Sequence, residues 1–165
     1  MTTLYLLRHA SAEDAKSGQS DAGRALTADG VRKFRQAAEG IARLLADKAP
    51  RILWTSPLVR ARQTAGILAE QFDAVKCKID VRVSAHLAPP GDLQAILKDL
   101  RREGEDAVAV GHEPILSEWL GELAFGGRGR VEFKKGALAA VALAERGISG
   151  QLLYLLQPGL LRQLR

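Results

Sequence analysis

Two segments of this chain, Thr3–Leu7 (TLYLL) and Ala107–Val110 (AVAV), carry no charged residue and do not alternate apolar with polar side chains. A strand with one wet face alternates; a strand that does not is covered on both faces. Such strands belong to sheets with helices packed on either side. Each segment ends on a polar pair, Arg8-His9 in the first case and Gly111-His112 in the second.

The rest of the chain supplies the covering helices. After a polar, aperiodic loop from Ser11 to Ala25, Thr27 has the character of an N-cap. Val31, Phe34, Ala37, Ala38, Ile41, Leu44 and Leu45 then recur at helical spacing. Arg51–Thr55 reads as a second strand. Ser56-Pro57 reads as a helix start, with free N–H groups pointing beyond the sheet, and this helix runs to about Glu70. Val75–Val83 alternates and predicts one or two exposed strands. His86–Gly91 is a loop with two prolines, Asp92–Leu100 a short helix capped near Asp92, and Pro114–Leu123 another helix. Gly121–Gly129 reads as a mobile glycine-rich stretch. Val131–Phe133, Ala137–Leu143 and Gln151–Leu156 are predicted strands, the last two a hairpin. The expectation is a single α/β domain over residues 1–165, without repeats or linkers. It is a three-layer α/β/α sandwich with a mostly parallel central sheet and room for antiparallel strands from the C-terminal third.

Composition narrows the function classes. The net charge of +5 favours anionic partners, but the basic residues are scattered and the few aromatic side chains form no stacking motif. Nucleic acid is therefore not the expected partner. The single cysteine, Cys77, excludes an intrachain disulfide framework. Wholly apolar runs fall far short of the ~20 residues of a membrane span. Arg8 interrupts an N-terminal stretch that lacks the basic start of a secretory signal. The expectation is a cytoplasmic protein with no membrane association.

Ligands of open α/β sheets bind beyond the carboxyl ends of the strands. Arg8 and His9 follow the first strand, Arg60 lies one turn into the helix after the second, and His112 follows the Ala107–Val110 strand. Taken singly, each has an ordinary alternative: a polar loop start, a surface arginine, a helix-entry histidine. Placed together at equivalent strand ends, they make a crevice suited to a phosphoryl group. Arginine offers planar bidentate donors to phosphate oxygens, and histidine acts as neutral nucleophile or charged donor near neutral pH. Spacing alone does not separate the roles of the two histidines.

Leu6-Leu7-Arg8-His9-Ala10, Leu26-Thr27-x-x-Gly30, Ser56-Pro57-x-x-Arg60-Ala61-x-Gln63-Thr64 and Val110-Gly111-His112, in this order, resemble the histidine phosphatase superfamily, which includes the phosphoglycerate mutases. The short chain and Gly91-Asp92 after a proline loop are most similar to its small bacterial branch, the phosphohistidine phosphatases of the SixA type. The resemblance implies a phosphoglycerate mutase-like fold and hydrolysis through a phosphohistidine intermediate. By the same resemblance His9 is the nucleophile, Arg8 and Arg60 hold the phosphoryl oxygens, and His112 donates to the same group. Arg24 matches a basic residue near the pocket. No metal or other cofactor is implied.

Two departures stand out. Ala10 occupies a position where the family often has glycine, so the turn must adopt a φ that alanine tolerates. His86 stands where larger members carry a proton-donating carboxylic acid; it is either a donor near neutral pH or a loop residue without chemistry. Asp92 and Glu113 are other candidate donors, though Asp92 also reads as a helix cap and Glu113 as a first-turn acid.

The expected partner is a phosphorylated protein or a small phosphorylated compound. Rival readings are a small-metabolite phosphomonoesterase, a non-catalytic phosphoprotein-binding module, and a zinc site formed by the three histidines. The arginines and the wide spacing speak against zinc. The Ala- and Leu-rich C-terminal segments read as core strands rather than a dimer seam, which favours a monomer and leaves the oligomeric state open.

Overall fold

A computed structural model describes residues 2–128 and 131–165. It contains a six-stranded sheet of order β3-β2-β4-β1-β5-β6. The strands are β1 (Thr3–Arg8), β2 (Ile52–Thr55), β3 (Asp80–Val83), β4 (Ala107–Gly111), β5 (Leu138–Leu143) and β6 (Gly150–Leu156). The first four run parallel, while β5 and β6 form the expected antiparallel hairpin against β1. The helices are α1 (Ala28–Leu45), α2 (Val59–Ala74), α3 (Leu93–Glu103), α4 (Ile115–Phe125) and a final turn α5 (Pro158–Leu161).

The two uninterrupted apolar strands sit at the centre, and their side chains split by parity. Leu4, Leu6, Ala107 and Ala109 face the layer of α3 and α4. Tyr5, Leu7, Val108 and Val110 face the layer of α1, α2 and α5. The chain crosses from β1 through β2 to β3 by way of α1 and α2, and returns to β4 by way of α3. Opposite directions of travel require opposite faces if every crossover is right-handed. The three-layer sandwich follows.

Register positions the site. Arg8 lies opposite Gly111, and Thr55 opposite Val110, so β1, β4 and β2 end at one level. Each ladder continues one residue further: His9 N–H donates to Gly111 O (3.1 Å) and Ser56 N–H to Val110 O (3.0 Å). Thr27 caps α1 by accepting from Gly30 N–H (2.9 Å). Gly30 in turn lets α1 press on the loop after β1, because a Cβ there would strike the backbone carbonyl of Ser11.

Three local expectations are corrected. Ser56-Pro57 does not start a helix: Ser56 is still tied to β4, and α2 begins at Val59. One of the N–H groups expected to be free, that of Leu58, is taken by Ser56 Oγ (3.3 Å). Val131–Phe133 is not a strand, because its three carbonyls accept from the side chains of Ser117, Gln157 and Arg8 instead of from a ladder. The stretch read as mobile from Gly121 is helical to Phe125, with Gly126 as a left-handed cap; Gly129 lies outside the described residues. β3 is the one strand formed in Val75–Val83, an exposed sheet edge. Among the described residues, no helix is long and apolar enough to cross a membrane.

Candidate active site

The level strand ends bring His9 and His112 face to face, with ring centroids 5.1 Å apart and planes tilted by 52°. Both are nearly out of solvent, at 6% and 2% exposure. His9 Nδ1 lies 2.7 Å from Ala10 O. A carbonyl only accepts, so Nδ1 carries the hydrogen and Nε2 keeps its lone pair. Burial drives the His9 pKa down to about 3, opposed by the Ala10 hydrogen bond and reinforced by the charges of His112, Arg60 and Arg8. The ring is neutral at pH 7.

His112 Nε2 is 2.8 Å from Ser56 Oγ. That hydroxyl accepts from Leu58 N–H and finds no other acceptor for its own proton among the described residues, so it donates to the ring. A His112 that accepts at Nε2 carries its hydrogen on Nδ1, and Nδ1 is buried with no hydrogen-bond partner among the described residues. Burial, then Arg60, lowers the His112 pKa to about 4.

Two guanidinium groups complete the cluster. Arg8 ends β1 and donates from Nη1 to Phe133 O (2.7 Å). Arg60, 4% exposed, donates from Nη1 to Asp21 O (2.8 Å) and from Nη2 to Asp21 Oδ2 (2.9 Å). The Nε atoms of both arginines are buried and, like His112 Nδ1, have no partner among the described residues. Burying an unpaired donor costs ~1–3 kcal/mol. Three such donors beside one free imidazole nitrogen make a site shaped for an anion. Thr64 braces it: its hydroxyl accepts from Ala10 N–H (3.1 Å) and donates to Arg60 O (2.7 Å).

Arg8, His9, Arg60 and His112 are thus brought together. Arg24 meets the cluster through Asp21, with Nε donating to Oδ1 at 2.8 Å, and spends Nη1 on Glu13 O (3.0 Å). His86 lies in the turn Ala85–Leu87 after β3, half exposed, with Nδ1 3.8 Å from Asp92 Oδ2. No hydrogen bond ties it to the two other histidines. Asp92 Oδ1 caps α3 through Ala95 N–H (3.0 Å). Glu113 accepts from the backbone and hydroxyl of Ser117 at the start of α4. Ala10 is accommodated without strain: the one non-glycine with positive φ among the described residues is Lys76. Among the described residues, no three His, Cys, Asp or Glu side chains converge closely enough to hold a metal ion. A groove of about 970 Å³ runs along α4 past Glu113, the residue after His112, and on past Ser117 and Glu118.

Sequence reasoning missed Asp21 and the contact of Ser56 with His112. Asp21 sits in an aperiodic loop, and its only local signal is Arg24 three residues on.

The sequence and the fold have known counterparts. The sequence model of the histidine phosphatase superfamily (branch 1) matches residues 4–87. An uncharacterised Picosynechococcus protein is 39% identical over 130 residues, 76% of this chain and 75% of that one. The solved structure of the protein histidine phosphatase SixA with tungstate superposes with a TM-score of 0.79 at 26% identity, covering 97% of this chain and 99% of that one. A candidate phosphohistidine phosphatase SixA from Agrobacterium tumefaciens gives 0.72 at 25%, covering 95% and 99%. A family match over half of the sequence, which includes β1, His9 and Arg60, establishes that the chain belongs to the histidine phosphatase superfamily.

Proposed function

We propose that this chain hydrolyses phosphohistidine on a protein through a covalent phosphoryl-His9 intermediate. The observation that carries the reading is the trio of buried, unpartnered donors, Arg8 Nε, Arg60 Nε and His112 Nδ1, around a neutral His9 with a free Nε2. In the first step the Nε2 lone pair forms a bond to phosphorus, and the P–N bond to the substrate imidazole breaks. The leaving nitrogen keeps the electron pair and takes up a proton. The three donors meet the equatorial oxygens, where negative charge concentrates. In the second step water attacks phosphorus, the P–N bond to His9 breaks, and inorganic phosphate leaves. His9 recovers its lone pair, and the proton of the water passes to solvent.

The substrate class follows from the leaving group. An imidazole leaves more readily than an alkoxide, so a site with no carboxylic acid at position 86 favours phosphoramidates over alkyl phosphates. His86 beside Asp92 is the proposed proton donor for the departing nitrogen. The test is turnover of a phosphohistidine protein and of an alkyl phosphate, with acid-labile label on the enzyme measured in the same samples. Faster phosphohistidine hydrolysis, with label present in the wild type and absent in His9→Ala, is the expected result. Equal rates on both substrates would defeat the substrate class, and label persisting in His9→Ala would defeat the nucleophile.

A further inference from the structure

We propose that Asp21 is the positioning residue of Arg60, holding its guanidinium so that one edge faces the space between the histidines. The proposal rests on reading that space as the phosphoryl pocket. A guanidinium carries five N–H groups in one rigid plane, so fixing one edge fixes the direction of the others. Asp21 takes the outer edge twice, with its backbone carbonyl on Nη1 at 2.8 Å and its carboxylate on Nη2 at 2.9 Å. The inner edge remains: Nε, buried and unpartnered, and the second hydrogen of Nη2. This is the edge able to meet two oxygens of one tetrahedral anion at once.

The arrangement is built from both ends. Asp21 Oδ1 is held by Arg24, so the carboxylate bridges two arginines, although 60% of its side chain is exposed. At the other end, the Arg60 backbone is fixed in the first turn of α2, where its main-chain carbonyl accepts from the Thr64 hydroxyl. With its backbone fixed in α2 and one edge held by Asp21, the Arg60 guanidinium presents its remaining donors in one direction. The alternative role for an anion on Arg60 is that of an internal competitor for phosphate. The two roles predict opposite signs, since a competitor slows the reaction and a positioner speeds it.

The experiment compares Asp21→Ala and Asp21→Asn in wild-type and Arg60→Lys backgrounds. The readouts are kcat and KM on phosphohistidine protein and on an aryl phosphate, together with tungstate binding by calorimetry. A misaligned catalytic group costs up to ~10²-fold in rate. Asp21→Ala is expected to lower kcat by at least ~10-fold while tungstate binding changes little. Asp21→Asn, whose amide oxygen still accepts from Nη2, should recover part of the loss. In the Arg60→Lys background, which has no fork to orient, Asp21→Ala should add nothing. An unchanged or higher kcat in Asp21→Ala, or an equal loss in the Arg60→Lys background, would overturn the proposal. A wild type that neither turns over phosphate compounds nor binds tungstate would instead overturn the pocket reading beneath it.

Discussion

Replacing Ser56 with alanine tests the histidine geometry most directly. The Ser56 side chain is fully buried, and its hydroxyl serves two groups, Leu58 N–H at 3.3 Å and His112 Nε2 at 2.8 Å. Alanine removes both bonds and opens too little space for a bulky rearrangement. The His112 ring, 2% exposed, keeps a buried nitrogen with no partner. An orphaned buried polar atom costs ~1–3 kcal/mol, and 2 kcal/mol is a factor of roughly 30 in the folding constant. Urea denaturation should show this loss as a lower midpoint with an unchanged slope. The functional effect is separate: without the Ser56 proton on Nε2, the His112 hydrogen is no longer confined to Nδ1. Nitrogen NMR of the ring should report Nδ1–H in the wild type and a tautomer mixture in Ser56→Ala. Turnover should fall by about 10-fold, less than the ~10²-fold lost when a transition-state donor is deleted outright. A variant as stable as the wild type, with the Nδ1–H tautomer intact, would refute the reasoning.

Two further outcomes follow from the same site. His9 and His112 are neutral in the fold, with pKa values driven down to about 3 and about 4, whereas in the unfolded chain they titrate near 6.5. The unfolded state therefore binds more protons below pH 6.5, and stability present above that pH is lost as pH falls toward 4. Between pH 7 and pH 5 each histidine should contribute a loss of about 2 kcal/mol. Urea melts at the two pH values should show it, and His112→Gln should remove its share. Thr64→Val keeps the shape of a fully buried side chain but strands Ala10 N–H, at a cost of ~1–3 kcal/mol in thermal or urea melts. It should also slow turnover, because the hydroxyl links the His9 turn to Arg60.

Much of the architecture was legible from periodicity. Apolar strands that do not alternate, Thr27 and Asp92 as caps, and the C-terminal hairpin all depend on interactions within a few residues, or on burial that the pattern of side chains declares. The Ser56-Pro57 start failed because a ladder bond to Val110 outweighs a local capping preference. Val131–Phe133 failed because apolar, β-prone residues reveal burial but not where their carbonyls are spent. In the same way, the four residues Arg8, His9, Arg60 and His112 were visible at strand ends and in motifs, while Asp21 was not.

By itself the sequence determined which residues end the central strands and that those strands must be buried on both faces. Only the tertiary structure decided how Arg60 is aimed, which nitrogen of each histidine is free, and that His86 stands half exposed beside Asp92. Patterning encodes which face is buried, because burial is a property of each side chain in turn. The direction of a donor is set by partners 39 and 56 residues away, and no local pattern carries that information.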